Sequence, residues 1–148
     1  MDTNEIVIEQ VKDFSPEIAD SIRNLVKQLV SNYKAYTDDE FKEMLQAPPS
    51  YLFIARDFLS KKIAGVIMLT IFRIPDSKKA YIDDLVVDEQ FRGRGVATLL
   101  FQKAITVAKE QNASYIELTS NPKRAAGIHL YEKLGFQKRE TNIYRLRL

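Results

Sequence analysis

A chain of 148 residues, 45% hydrophobic and 28% charged, is long enough for one packed domain and too apolar for disorder. Its 22 basic and 20 acidic side chains leave a net charge of +2, which gives no reason to expect a nucleic-acid or membrane partner and leaves a homodimer open. With no cysteine and one histidine, disulfides, thiolate metal centres, cysteine nucleophiles and His-rich sites are excluded, and no metal is expected. The start Met1-Asp2-Thr3-Asn4-Glu5 lacks the basic stretch of a signal peptide. The longest apolar run, Ile63 to Ile71, is far short of a membrane span, so a cytoplasmic protein is expected.

The first predicted element is a β-branched strand over residues 5–11. Ser15-Pro16-Glu17 then opens a helix, with a cap, a proline at the first helical position and an acid at the positive end. Ile18, Ile22, Leu25, Val26, Leu29 and Val30 recur at threes and fours and mark its buried face. A second helix starts at Thr37, with Asp38, Asp39 and Glu40 in its first turn, and stops at Pro48-Pro49. Residues 51–55 and 63–71 form two strands joined by Asp57–Lys62, and Pro75-Asp76-Ser77 turns into a strand over 80–87. A long helix follows from about Arg94 to Gln111, then a strand at 114–119 and a helix over 124–134 stopped by Gly135. Ile143, Tyr144, Leu146 and Leu148, interrupted by Arg145 and Arg147, predict a last strand. The consecutive strands suggest a meander and the 80–119 strand–helix–strand a parallel crossover. The expected fold is therefore α/β (α+β): one mixed, mostly antiparallel central sheet of about six or seven strands flanked by helices, in a single domain.

The informative segment runs from Val86 to Thr98. It leaves an apolar strand and enters a helix through Gly93 and Gly95, with Arg92 and Arg94 beside them. Glycines at such a turn let several backbone N–H groups converge, and the helix start adds its unpaired N–H groups and dipole, so the product is an anion cradle. A plain tight helix start explains the same glycines. A dinucleotide fingerprint is a third reading: Gly93 and Gly95 fit its first two glycines, but Thr98 stands at the third. No Gly-Lys-Ser/Thr follows, so a nucleotide P-loop fits worse.

Arg92-Gly93-Arg94-Gly95-Val96-Ala97 resembles the Arg/Gln-x-x-Gly-x-Gly/Ala acetyl-CoA signature of the GNAT N-acetyltransferase superfamily. Leu130-Tyr131-Glu132-Lys133-Leu134-Gly135-Phe136 is similar to that family's second hallmark, a tyrosine helix ending in Gly-Phe, and the spacing between the two also matches. The resemblance implies an acetyl-CoA-dependent N-acetyltransferase with a GNAT-like fold. It implies that backbone groups of Leu85, Val86 and Val87 pair with the pantetheine arm, and that Arg92, Gly93, Arg94, Gly95, Val96, Ala97 and Thr98 hold the pyrophosphate through their amides. It also implies a bulge that splays the 80–88 strand from the 114–119 strand. Tyr131 becomes the acid that protonates the leaving thiolate; without the motif, its place on the face of Ile128 and Leu134 reads as packing. Where many relatives carry a cofactor-contacting asparagine, seven residues before the tyrosine, this chain has Arg124, which could meet a phosphate instead. Asn121, before Pro122, reads as a cap or turn and is grouped with Arg124 among the candidate cofactor contacts, and His129 reads as packing or solvent-facing.

Asp83 and Asp84 interrupt an apolar strand, and plain alternation puts them on opposite faces. Asp83 resembles the acidic residue some family members use as a base through water, with Asp84 in reserve. Acceptor contacts are expected from Tyr33 and Tyr36, from Phe72 and Arg73, and from Tyr144. Aromatics beside two carboxylates suit an amino-acid-like or polyamine-like amine, and leave a protein acceptor open. With no cysteine and no His-based triad, transfer is expected to be direct. The alternatives are a dinucleotide-binding oxidoreductase and a non-catalytic acetyl-CoA sensor.

Overall fold

The computed structural model describes residues 5–47 and 49–148. The polar start at 1–4, and Pro48 of the expected helix stop, lie outside the described residues. Two units make up the chain, Met1–Leu118 and Thr119–Leu148.

In the first unit, β1 (Ile6–Gln10) precedes α1 (Pro16–Leu29) and α2 (Asp38–Gln46). Both helices begin on side-chain caps. Ser15 accepts from the Ile18 amide at 3.4 Å. Thr37 and Glu40 form a reciprocal capping box, at 3.2 Å and 2.7 Å. Each such cap stabilises its helix by roughly 1 kcal/mol. β2 (Ser50–Asp57), β3 (Ile63–Ile74) and β4 (Ser77–Val87) follow as an antiparallel meander. α3 (Val96–Glu110) then crosses to β5 (Tyr115–Glu117), which pairs with β4 in parallel. The sheet order is β1-β2-β3-β4-β5.

β3 lies at the centre and is buried on both faces, which is why its sequence is a near-continuous apolar run. On one face Leu52, Ile54, Val66 and Val86 meet Ala19, Ile22 and Leu25 of α1 and Phe41 of α2. On the other, Phe53, Ile67, Leu69 and Ile82 lie under Leu100, Phe101 and Ala104 of α3. Three antiparallel pairings and one parallel pairing are not the repeated parallel units that a doubly wound dinucleotide fold requires, so the oxidoreductase reading fails on topology.

In the second unit α4 (Ala125–Lys133) ends at Gly135, whose φ of 95° is the left-handed value that favours glycine. The expectation of six or seven strands is corrected here: the described residues form five, and 137–148 adopt no regular element. Tyr144 is 88% and Leu148 116% exposed. The tail's alternation defines two faces, but a strand also needs a hydrogen-bonding neighbour, and no sequence pattern supplies one.

Candidate active site

Two features of β4 shape the site. Val86 pairs with Val66 and Asp83 with Met68, so Asp84 and Leu85 together oppose Ile67. This is a β-bulge, and Asp84 at its centre has a φ of 49°. Aspartate tolerates that left-handed conformation better than most residues do. The bulge slips the alternation by one residue, so Asp83 and Val86 share a face with Met68 and Val66. The expectation of Asp83 and Asp84 on opposite faces rested on plain alternation, which the bulge interrupts at Asp84.

The second feature is the end of the β4–β5 pairing at Tyr81 and Glu117. Among the described residues the outer backbone edge of β4 from Ile82 onward has no neighbouring strand. β5 itself ends there, at Glu117.

The Asp83 carboxyl is raised above the ordinary carboxylate range by partial desolvation, and then by the charge of Asp84. Asp84 also acts on Tyr33, in the loop after α1. Burial pushes the Tyr33 phenol up, and its Oη is enclosed without a hydrogen bond. The Tyr36 amide approaches that oxygen but not in full bonding geometry. Asp84 thus acts electrostatically on both Asp83 and Tyr33. The other expected acceptor residues divide. Tyr36 stacks on Phe41 at 5.5 Å and donates to the Ala19 carbonyl at 3.1 Å, with Arg23 over its ring, so it holds the α1–α2 loop rather than lining an open rim. Arg23 also pairs with Asp20 and Asp38. Phe72 lies beside Lys79, which reaches Glu117 at 3.4 Å, while Arg73 is exposed.

The turn after β4 is fastened from both sides. Asp88 accepts from the Gln90 amide at 2.8 Å, and Gln28 of α1 accepts from the Glu89 amide at 3.2 Å. Arg92 donates back to the Val87 carbonyl at 3.3 Å, and Arg94 lies 5.1 Å from the Phe91 ring centre. Gly93 and Gly95 have φ of 74° and 77°. Gly95 is the N-cap of α3 and has no side chain to occupy the helix's first N–H groups, so those of Val96, Ala97 and Thr98 keep their donors open. Beneath them Gly65 removes the obstacle that would hold α3 away. A Cβ there would lie 3.0 Å from the Val86 carbonyl oxygen, 3.1 Å from Leu100 and 3.2 Å from Val96. A cluster of open N–H groups at a glycine turn, with nothing within 4 Å of a Cβ built on Gly93, fits a pyrophosphate approaching the backbone.

In the second unit Tyr131 folds back along α4. A Cβ on Gly127, one turn earlier, would lie 3.2 Å from its hydroxyl, and the Phe136 ring stands edge-on at 6.3 Å. Asn121 does turn work: its side chain accepts from the Lys123 amide at 3.0 Å, and its carbonyl from the Arg124 amide at 2.9 Å. Arg124 is the N-cap of α4, and Tyr144 lies in the exposed tail. Sequence reasoning missed Gln28 as the fastener of the turn and Met68 as the partner of Asp83; both depend on register, for which a single sequence carries no signal.

Residues 19–136 match the family model for the acetyltransferase (GNAT) family. N-alpha-acetyltransferase 30 of Schizosaccharomyces pombe is 28% identical over 119 residues, covering 80% of this chain and 77% of that protein. An uncharacterized N-acetyltransferase of Methanocaldococcus jannaschii is 37% identical over 70 residues, 47% of this chain, and the match spans only 31% of its length. Among solved structures, an aminoglycoside acetyltransferase from an uncultured soil metagenomic sample, in complex with sisomicin, superposes with a TM-score of 0.84 at 16% identity, covering 98% of this chain and 97% of that one. That likeness is one of fold, whereas the family model spans most of the sequence: the chain belongs to the GNAT family of acetyltransferases.

Proposed function

We propose that the chain acts as one domain that transfers the acetyl group of acetyl-CoA directly to a primary amine. The observation carrying this reading is the bulged end of β4 leading into a glycine turn with open α3 N–H groups. Acetyl-CoA would supply an activated thioester carbonyl. The amides of Gly93 through Thr98 would hold its pyrophosphate, and the edge of Leu85, Val86 and Val87, which no strand covers, would take the pantetheine arm as an added strand. Asp83, more basic than an ordinary carboxylate, receives the proton the amine must lose before it attacks. The Asp84 carboxylate beside it draws a cationic acceptor. The Tyr131 hydroxyl gives its proton to the departing sulfur. Arg124 remains a candidate for a phosphate contact.

The acceptor we favour is the α-amino group of an amino acid or peptide. Two carboxylates suit an ammonium, and the S. pombe relative bears the name of an N-alpha-acetyltransferase. A panel of amino-acid amides, short peptides and polyamines, assayed by release of the coenzyme A thiol, tests this. Turnover with α-amines above polyamines is expected. In the same assay Tyr131→Phe should lower turnover ~10²–10⁴-fold with coenzyme A affinity retained. No thiol release with any amine, while coenzyme A still binds, would make the chain a sensor instead.

A further inference from the structure

The turn into α3 opens with a single turn of 3-10 helix, Glu89–Phe91, whose first amides find no partner inside it. Two side chains take them. The Asp88 carboxylate accepts from the Gln90 amide at 2.8 Å, and the side-chain carbonyl of Gln28 accepts from the Glu89 amide at 3.2 Å. The nitrogen of the same Gln28 side chain donates to Asp88 at 3.4 Å, so one amide group bridges the turn's backbone and its capping carboxylate. A backbone N–H can only donate and a carboxylate can only accept, so the group between them must do both. Glutamate would lack the donor, and lysine the acceptor.

Gln28 lies in the last turn of α1, and the loop beyond that helix carries Tyr33. This loop is folded back on its helix: the Tyr36 hydroxyl donates to the Ala19 carbonyl at 3.1 Å, and Arg23 donates to the Tyr36 carbonyl at 3.0 Å. Helix and loop therefore shift as one body. Nearer its start, α1 stands off the β2–β3 hairpin and the turn across a polar cavity of about 350 Å³, lined by Ser21 and Asn24, by Lys61 and Lys62, and by Asp88 among others. Buried Ile22 and Leu25 hold α1 on the sheet, but apolar contact is non-directional and fixes a helix less sharply along its axis. Hydrogen bonds are directional, and Gln28 makes two of them to the turn.

We infer that Gln28 is a positioning residue: it registers the cofactor turn against the helix whose loop carries Tyr33, so that the thioester and the acceptor amine meet in reacting geometry. The inference rests on the proposed transfer and on Tyr33 meeting the acceptor. The glycine turn keeps its own shape without Gln28, since Gly93 and Gly95 set its backbone and buried Val96 and Leu100 seat α3. What Gln28 adds is the placement of one site relative to the other, and a misplacement of about 1 Å can cost ~10²-fold in rate.

The test uses acetyl-CoA with the fastest amine of the panel, read by thiol release. Gln28→Ala should lower kcat about tenfold or more, while the amine's KM and the coenzyme A affinity by calorimetry stay nearly unchanged. Gln28→Glu keeps the acceptor for the Glu89 amide but sets a second carboxylate against Asp88, and kcat should fall as far. Joining it to Asp88→Asn restores both bonds with donor and acceptor exchanged, and should recover most of kcat. A coenzyme A affinity that falls in step with turnover, or an exchanged pair that recovers nothing, overturns the inference. Hydrogen exchange at the Glu89 amide reads the bridge without turnover: it should be faster in Gln28→Ala and slow again in the exchanged pair. Unchanged exchange overturns the inference even where transfer proceeds. Slow exchange in a wild type that turns over no amine defeats the transferase reading, and this inference with it.

Discussion

The turn into α3 and the proposed acceptor face of β4 adjoin each other in sequence, yet they are specified in different ways. The turn is a backbone object: two left-handed glycines, an N-cap without a side chain, and a glycine beneath the helix that allows the close approach. Every part but Gly65 lies in one short segment. The face is a side-chain object, in which Asp83 is set opposite Met68 by register and Asp84 acts on both Asp83 and Tyr33. The turn should therefore fail as a unit, losing the cofactor whatever the acceptor. Changes to the face should grade the reaction by pH and by acceptor while cofactor affinity holds.

Gly95→Val gives the sharpest test on the turn side. A β-branched residue forced to a φ near 77° is strained by roughly 1–3 kcal/mol, and its methyls stand where the phosphate must approach. Coenzyme A affinity should fall ~100-fold or more by calorimetric titration, and turnover with every acceptor should fall with it. Retained affinity would mean that the open amides of α3 are not the anion site.

Asp83→Asn probes the other side. Because the carboxyl is raised, wild-type activity should fall as pH drops through a value above the usual ~3.9 of aspartate. The variant loses the base, so its deficit should be largest, ~10²-fold, near neutral pH and shrink as pH approaches the amine's own pKa. Since the folded-state pKa is raised, the charged carboxylate costs stability above that pKa, and the variant should be no less stable at neutral pH. An equal deficit at every pH, or lost coenzyme A affinity, would assign Asp83 to structure instead.

How much of this was legible in the sequence follows the same division. The helix starts were readable because their signals are local: Ser15-Pro16 and Thr37 with Glu40 satisfy backbone groups within one turn. The glycine turn was readable because glycine before a helix has few backbone explanations. The bulge was legible only through the family resemblance, since nothing local to Asp84 requires it; in the structure β3 offers one residue where β4 presents two. Tyr36 was expected at an open rim and instead anchors its loop, because the Ala19 carbonyl that receives its hydroxyl lies a helix away. The tail shows the limit from the other direction. Ile143, Tyr144, Leu146 and Leu148 alternate as a strand would, and alternation alone did not make one.

Gly65→Ala links the two regions with a smaller effect. The added methyl meets the Val86 carbonyl at 3.0 Å and two side chains of α3, and overpacking of this kind costs about 1–3 kcal/mol. The helix start must move off the sheet, so coenzyme A affinity should weaken ~10-fold while the ranking of acceptors is preserved. A changed ranking with intact affinity would show that the face, not the turn, depends on this contact.

The smallest effect should come from Tyr33→Phe, and its sign is the informative part. A buried tyrosine hydroxyl that makes a good hydrogen bond stabilises a protein by about 1 kcal/mol, so its removal ordinarily lowers stability. The Tyr33 oxygen is enclosed without such a bond and lies in the field of Asp84, so folding leaves it desolvated and uncompensated. Removing it should leave stability unchanged or raise it by up to ~1 kcal/mol, measured as a shift in the urea midpoint at constant slope. An oxygen kept at a cost next to two carboxylates has a use if it hydrogen-bonds the bound acceptor. The same variant should then raise KM for the amine a few-fold, with kcat and coenzyme A affinity nearly untouched. A loss of ~1 kcal/mol in stability with unchanged KM would reveal a hidden structural partner, and would remove Tyr33 from the acceptor face.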